Sequence, residues 1–349
     1  MHSYRVLGLM AGSSADGVSA ALVRFWKSSS WQYELLEAHT FPYPEMLQKE
    51  LLGALTLPQQ ETLRLSTYYT DWTAELIQAH FGTRYYDLIS WHPHNLYHEP
   101  EIGLTWSLGD GERLRVQVSA PVVYHFRARD IASGGKGAPL IPIADGLLFS
   151  SYETLINLGG IANLTHLPSF TAYDITPCNQ VLNALARQAG STTGYDPQGS
   201  LAAQGKVLPA LLEQLQQHPF FTLSPPKALS NRTVREAFLQ PLLSYDAFPC
   251  DKLRTAVELI TWALERALRT VAARRFTLTG GGTYNTFLIQ RLQERIPELT
   301  YHPAPPELIE YREAIGFALL GLLRWLREDN ILPFWTGAHR AHSSGLISL

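Results

Sequence analysis

The chain has 349 residues, 46% hydrophobic and 17% charged, with a net charge of −3. That is an ordinary globular composition in a chain longer than one core usually organises, so two domains of roughly 150 to 200 residues are expected. No run of Lys or Arg provides a track for a phosphate backbone, and the two cysteines, Cys178 and Cys250, form no metal-type pair and no disulfide framework. The N-terminal stretch MHSYRVLGLMAGSS lacks a basic n-region and reads as a strand rather than a signal peptide. The longest apolar run, Ala314 to Leu323, is too short to span a bilayer and is bracketed by Arg312 and Arg324. A soluble cytoplasmic protein is expected.

In chain order, Tyr4 to Met10 is an apolar strand, Ala11 to Gly17 a small-residue turn, and Val18 to Trp26 a returning strand. The same order recurs from Tyr152, with ETLINL, the Gly159-Gly160 turn and IANLTHL, which points to duplicated halves. The Gly- and Pro-rich segment from Ala132 to Pro142 is the best boundary candidate. In TAVELITWALERALRTVAARR a helix places Val257, Ile260, Leu264, Leu268 and Val271 on one face. The strand FTLT, the turn Gly280-Gly281-Gly282 and a helix over TYNTFLIQRLQERI follow, the last stopping before Pro297. A final helix from about Glu310 to Arg327 turns Ile315, Ala318 or Leu319, Leu322 and Leu326 inward. Strands alternating with helices make the class α/β.

Three turns have phosphate-binding character. In AGSSADG, Gly12 permits close backbone approach, Ser13 and Ser14 offer hydroxyls, and Asp16 provides a carboxylate for a divalent cation. The same residues also suit an ordinary hairpin turn. The second turn is Gly159-Gly160, and the third is TGGG, whose amides are expected at a helix N-terminus. None is a Walker A loop or a GxGxxG fingerprint. Asp174, in TAYDITPCN, can cap a helix or act at a domain interface, and Glu313 opens the final helix, a helix-start acid before it is a catalyst. Asp130 and Asp145 flank ASGGKGAPLIP and read as structural.

A different class competes. His92, His94 and His98 in WHPHNLYH match the alternation by which metal-dependent hydrolases set imidazoles on one side of a strand, with Asp110 and Asp130 available as further ligands. Pro93 would disturb such a strand.

Taken together and in order, these segments resemble the anhydro-N-acetylmuramic acid kinase family of actin/hexokinase-like ATPases. GLMAGSSADGVSAALV is similar to that family's GLMSGTSxDG, WHPHNLYHEP to SHGQTxxHxP, and SLGDG to QIGD. FRARDIASGGKGAPLIPIAD resembles FRxxDxAxGGQGAPLxP, and INLGGIANLT is nearly identical to the family form. GYDPQGSLAAQGKV, TGGGTYNTFL, EAIGFALLG and the late TGA extend the resemblance along nearly the whole chain.

The resemblance implies two ribonuclease-H-like (actin-like ATPase) domains, residues 1–140 and 141–349, around a central nucleotide and sugar cleft, with the last residues packing back on the first domain. It implies ATP-dependent hydrolytic opening of 1,6-anhydro-N-acetylmuramic acid and phosphorylation of its 6-oxygen, as in cell-wall recycling. Asp174 is then the expected base. Gly12, Ser13, Ser14, Asp16 and Gly17 would cradle ATP with Mg²⁺ near Asp16, and Gly280, Gly281 and Gly282 would approach the nucleotide. Arg127, Glu313 and Asn179 are the expected sugar contacts. The implied partners are a small amino sugar and ATP, without nucleic acid or membrane, and a homodimer is left open. Several positions depart from the family pattern. DITPCN replaces DTGPGN, bringing in Thr176 and Cys178; His94, Asn95, His125 and Lys136 stand where the family has Gln, Thr, Asp and Gln; and NRTVREAF, Asn231 to Phe238, is a lengthened GRExF. These departures leave open a kinase for another amino sugar, or an ATP-binding homologue without catalysis.

Overall fold

The first apolar stretch forms β1 (Ser3–Ala11), which turns back antiparallel into β2 (Gly17–Lys27) with Ala11 opposite Val18, in a computed structural model that describes residues 2–12, 15–82 and 84–349. The strands continue as β3 (Trp31–Pro42), β4 (Leu88–His92), β5 (Asn95–Glu99), β6 (Leu104–Ser107) and β7 (Val122–Tyr124). Beyond them come β8 (Thr154–Leu158), β9 (Ile161–His166), β10 (Thr171–Pro177), β11 (Arg275–Thr279), β12 (Thr300–Tyr301) and β13 (Leu346–Ser348). The helices that position the candidate site are α1 (Gln59–Phe81), α2 (Phe126–Ala132), α3 (Pro142–Leu148), α4 (Asn179–Gln188), α5 (Pro249–Thr270), α6 (Thr286–Arg295) and α7 (Pro306–Trp325).

Two sheets share one topology. The first runs β13-β7-β4-β1-β2-β3 and the second β10-β9-β8-β11-β12, with β5 and β6 forming a separate hairpin. In each, a three-stranded antiparallel meander (β1 to β3, β8 to β10) is extended from its first strand by two parallel strands (β4 and β7, β11 and β12). The duplicated hairpins read in the sequence are therefore the openings of two ribonuclease-H-like units, and the α/β class holds.

The units comprise Met1–Ser150 with Tyr311–Leu349, and Ser151–Glu310. The division thus falls at 150/151 rather than at 140/141, and again inside α7. Two anchors explain why the Gly- and Pro-rich segment is not a linker. The buried Asp130 carboxylate accepts the Gly137 amide (2.7 Å) and the Thr336 hydroxyl (2.7 Å), closing the glycine loop on the late TGA segment. Beyond the loop, Asp145 of α3 pairs with Arg312 of α7, and both side chains are almost fully buried.

In the first unit β1 is buried along its apolar core, as expected for a central strand covered on both faces. Beyond β2, the edge strand β3 is buried only at Trp31, is otherwise half-buried or exposed, and carries Glu34 and Glu37 at the sheet edge. Gly8 is a glycine by necessity: a Cβ there would overlap the Ala314 carbonyl of α7. In the second unit α5 buries Leu253, Val257, Ile260, Leu264 and Leu268, the period-3.6 face expected for this helix, against Leu158, Leu164 and Leu278 of the sheet. Val271 caps that helix half-buried, and Leu326 lies just beyond α7. Among the described residues, no helix is long and apolar enough to cross a membrane.

Candidate active site

In α/β sheets, ligands gather beyond the carboxyl ends of the parallel strands. Of the expected site residues of the first unit, Gly12, Asp16, Gly17 and Arg127 lie by those ends. β1 ends at Ala11 and leads into Gly12; β4 ends at His92, paired with Met10; and β7 leads through His125 into Arg127 at the start of α2. Ser13 and Ser14 lie outside the described residues. Asp16 is exposed, with its carbonyl accepting the Tyr43 amide (3.1 Å), and Gly17 opens β2 opposite Pro42. The Ala15 carbonyl accepts the Gln48 side chain (2.9 Å), which ties this turn to the following helix.

His92 and His94 adjoin the end of β1, His92 paired with Met10 and His94 bonded to the Gly12 backbone. The His92 ring stacks on Phe317 of α7 (4.1 Å between centroids), and its Nε2 lies 3.4 Å from the Arg127 guanidinium. Burial pushes His92 well below the ordinary imidazole range, and Arg127, His125, His98 and His94 add to the effect. His94 is pushed down to about 4 by burial, partly offset by a hydrogen bond to the Gly12 backbone. His98 is pushed down to about 3 by burial and then by Arg127. All three are neutral at pH 7. Both ring nitrogens of His98 and the Nδ1 of His94 are buried without a hydrogen-bond partner, an unsatisfied state that a polar ligand would relieve. Arg127 donates to the Gly137 carbonyl, so the glycine loop set by Asp130 also orients the guanidinium. Glu313 sits half-buried on α7, one turn before Phe317 and about 5–6 Å from it along the helix face.

These contacts do not build the alternative metal centre. Asp110 is committed to capping the next helix, accepting the amides of Glu112 and Arg113, and Asp130 to the glycine loop. Beside His92 stands a cation rather than a carboxylate. Among the described residues, no group of three or more His, Cys, Asp or Glu side chains converges as metal ligands.

In the second unit Asp174 is not a helix cap. It lies within β10, buried, while α4 is preceded by Cys178 at its N-cap position. Its amide donates to the Lys227 carbonyl (3.1 Å) and its Oδ2 accepts the Leu229 amide (2.8 Å), so the segment from Lys227 to Leu229 runs beside the strand and holds the carboxylate. Cross-strand registers align Asp174 with Asn163, Asn163 with Asn157, and Asn157 with Thr279. At about 4.8 Å per strand this polar row spans roughly 14 Å near the carboxyl edge of the sheet. Asn157 and Asn163 were not singled out in the sequence. Their signal is an amide inside an otherwise apolar strand such as TLINL.

The glycine turns meet at the end of that row. Asn179, at the start of α4, donates through Nδ2 to the Leu158 carbonyl (2.8 Å), and the Gly159 and Gly160 carbonyls accept the amides of Asn179 and Cys178. Gly280, at φ 80°, is packed so closely that a Cβ would overlap the Asn157 side-chain oxygen. A Cβ on Gly281 would meet nothing within 4 Å, whereas Gly282 packs on Leu158. The expected helix N-terminus lies further on: Gly281–Tyr284 form a 3₁₀ turn, and α6 begins only at Thr286, capped by Asn285. An Asn side chain accepting the Leu288 amide (3.0 Å) outcompetes glycines as a helix start.

Most departures from the family motifs sit outside this polar edge. Thr176 and Cys178 are fully buried, and Cys178 joins the apolar core of the unit. The lengthened NRTVREAF runs into a π-helical turn, Val234–Leu239, the form in which a helix absorbs an added residue. Lys136 is half-buried and faces Glu101 at 3.7 Å.

Comparison with known proteins places the chain in a family. The family profile described as anhydro-N-acetylmuramic acid kinase matches residues 4–349. The anhydro-N-acetylmuramic acid kinase of Trichormus variabilis is 34% identical, covering 96% of this chain and 94% of its own. Those of Nitrosomonas europaea (32%, covering 98% of both chains) and Xanthomonas campestris (33%, 99% and 97%) are similar over the same span. A ROK family glucokinase from Streptomyces griseus aligns with 91% of this chain and 99% of its own at 11% identity, with a TM-score of 0.45, too low to bear on function. On a profile match over nearly its full length and relatives above 30% identity, the chain belongs to the anhydro-N-acetylmuramic acid kinase family.

Proposed function

We propose that this chain is an ATP-dependent kinase that opens 1,6-anhydro-N-acetylmuramic acid with water and phosphorylates the freed 6-oxygen, giving N-acetylmuramic acid 6-phosphate and ADP. Asp174 takes a proton from the water that attacks the anomeric carbon, the bond from that carbon to the 6-oxygen breaks, and the 6-oxygen accepts the γ-phosphoryl group. The observation that carries this reading is the Asp174 carboxylate itself: buried, fixed by the Leu229 amide, and in line with the polar row of the second sheet.

Gly12, Ser13, Ser14, Asp16 and Gly17 cradle the phosphates of ATP, and Gly280, Gly281 and Gly282 approach its nucleoside. The exposed Asp16 carboxylate would hold Mg²⁺ with ATP, and the cation would supply neutralisation of the phosphate charge. Arg127, Glu313 and Asn179 bind the sugar. The unpartnered His94 and His98 nitrogens support a hydroxyl-rich ligand beside Arg127. The buried positions of Thr176 and Cys178 favour retained chemistry over an altered phosphate site. The reading extends to a cytoplasmic role in peptidoglycan recycling.

The test is ADP release by the full-length protein with ATP and Mg²⁺, with and without the anhydro sugar. Strong stimulation by that sugar supports the reading. ATP binding without stimulation would redirect the substrate search to other amino sugars.

A further inference from the structure

Tyr173 and Ile175, the two residues that flank Asp174 in β10, wall a cavity of about 70 Å³ completed by Phe221, Lys227, Ala263 and Arg266. Its lining holds two cations and no carboxylate. The Lys227 ammonium donates to the Phe220 carbonyl (3.1 Å) and lies over the Phe220 and Tyr173 rings, 4.5 and 5.5 Å from their centroids. The Arg266 guanidinium lies over Trp262, 4.8 Å from the ring centroid. Burial and then Arg266 push Lys227 down to about 8, against the pull of Asp174 in the other direction. Two like charges at a cavity with no acidic side chain in its wall are unfavourable until an anion joins them.

We propose that this cavity binds a phosphate-class oxyanion, inorganic or at the end of a sugar ester, and that its occupancy lowers turnover by acting on Asp174. The volume holds one such group, and the exposed Arg266 and Thr270 at the mouth leave room for an ester tail outside. Coupling follows from chain geometry. Lys227 contributes both a cationic side chain in the cavity lining and the carbonyl that accepts the Asp174 amide, and two residues later the Leu229 amide holds the carboxylate. An anion that draws Lys227 toward the cavity pulls on the segment that orients the base. The kinetic half of this inference rests on Asp174 being the base; the binding half does not.

The experiment titrates inorganic phosphate, and in a second arm N-acetylglucosamine 6-phosphate, into full-length protein saturated with Mg²⁺ and a non-hydrolysable ATP analogue. Saturation keeps the probes off the nucleotide site. One phosphate per chain is expected, weakened about tenfold or more by Arg266→Met, a surface change that leaves turnover without phosphate intact. Phosphate should also lower kcat in the wild type but not in that variant. Tighter binding of the ester than of free phosphate identifies the sugar phosphate as the source, and the reverse identifies the free anion. Equal binding by both proteins, or none to the saturated wild type, overturns the site. Arg266-dependent binding without an effect on kcat overturns the coupling. Full turnover by Asp174→Asn would instead remove the base assignment and leave the binding result standing.

Discussion

Replacing Asp174 separates its chemical role from its structural one, because two substitutions affect the Leu229 bond differently. Asn keeps an oxygen that can accept the Leu229 amide, so Asp174→Asn exchanges a charged hydrogen bond of about 1.5–3 kcal/mol for a neutral one of about 0.5–1.5 kcal/mol. The expected stability loss is about 1 kcal/mol, or roughly 2–4 °C in Tm for a unit of this size. Ala leaves the buried Leu229 amide without its acceptor and costs about 1–3 kcal/mol. General-base catalysis contributes about 10²- to 10⁴-fold, near 3–5 kcal/mol of barrier, so both variants should lose that much kcat. Sugar-dependent ADP release gives kcat, calorimetry of a non-hydrolysable ATP analogue reports the nucleotide site, and thermal unfolding gives stability. The expected pattern is an equal kinetic loss in both variants, unequal stability losses, and unchanged nucleotide affinity. Turnover within tenfold of wild type in Asp174→Asn refutes the assignment, as does a kinetic loss that merely follows the fraction unfolded.

Thr336→Val removes the hydroxyl that Asp130 accepts, and should destabilise the first unit by about 2 kcal/mol in urea unfolding; a change below about 0.5 kcal/mol would show that the glycine loop closes without it. Arg312→Met strands the buried Asp145 carboxylate and should cost about 3–5 kcal/mol, while the double change with Asp145→Leu should recover much of that loss, read by the same denaturant curves. The buried histidines predict an acid sensitivity. Their folded-state values lie below the ordinary imidazole value of 6.5, so the unfolded chain binds more protons as the pH falls. Stability is therefore full above pH 6.5 and should decline from there toward pH 4, with His98→Gln flattening the decline in thermal scans; a slope unchanged by that variant would exclude His98 as a cause.

How much of this was legible beforehand depended on the range of the interaction. The period-3.6 face of α5 appeared as expected because neighbours on a helix lie three and four residues apart in sequence. The turns after β1 and β8 were legible because Gly, Ser and Asp act on their own backbone. The start of α6 was misplaced, since the contest between the glycines and Asn285 is decided by a side-chain cap. The boundary near Ala132 to Pro142 was misread for a longer-range reason. Glycine and proline signal irregular backbone, which a linker and a tightly pinned loop share, and only Thr336, 206 positions away, distinguishes them.

The ordered motifs and the duplicated strand–turn–strand openings came from the sequence alone, because each is a local pattern of residue types, and the choice of Asp174 followed from the family resemblance those motifs carry. That Asp174 sits inside a strand rather than at a helix start, shares a row with Asn163, Asn157 and Thr279, and is held by a segment 55 residues downstream was decided by tertiary structure. Register and strand order create those neighbours, and both are set by which faces the folded core buries; no spacing along the chain encodes them directly.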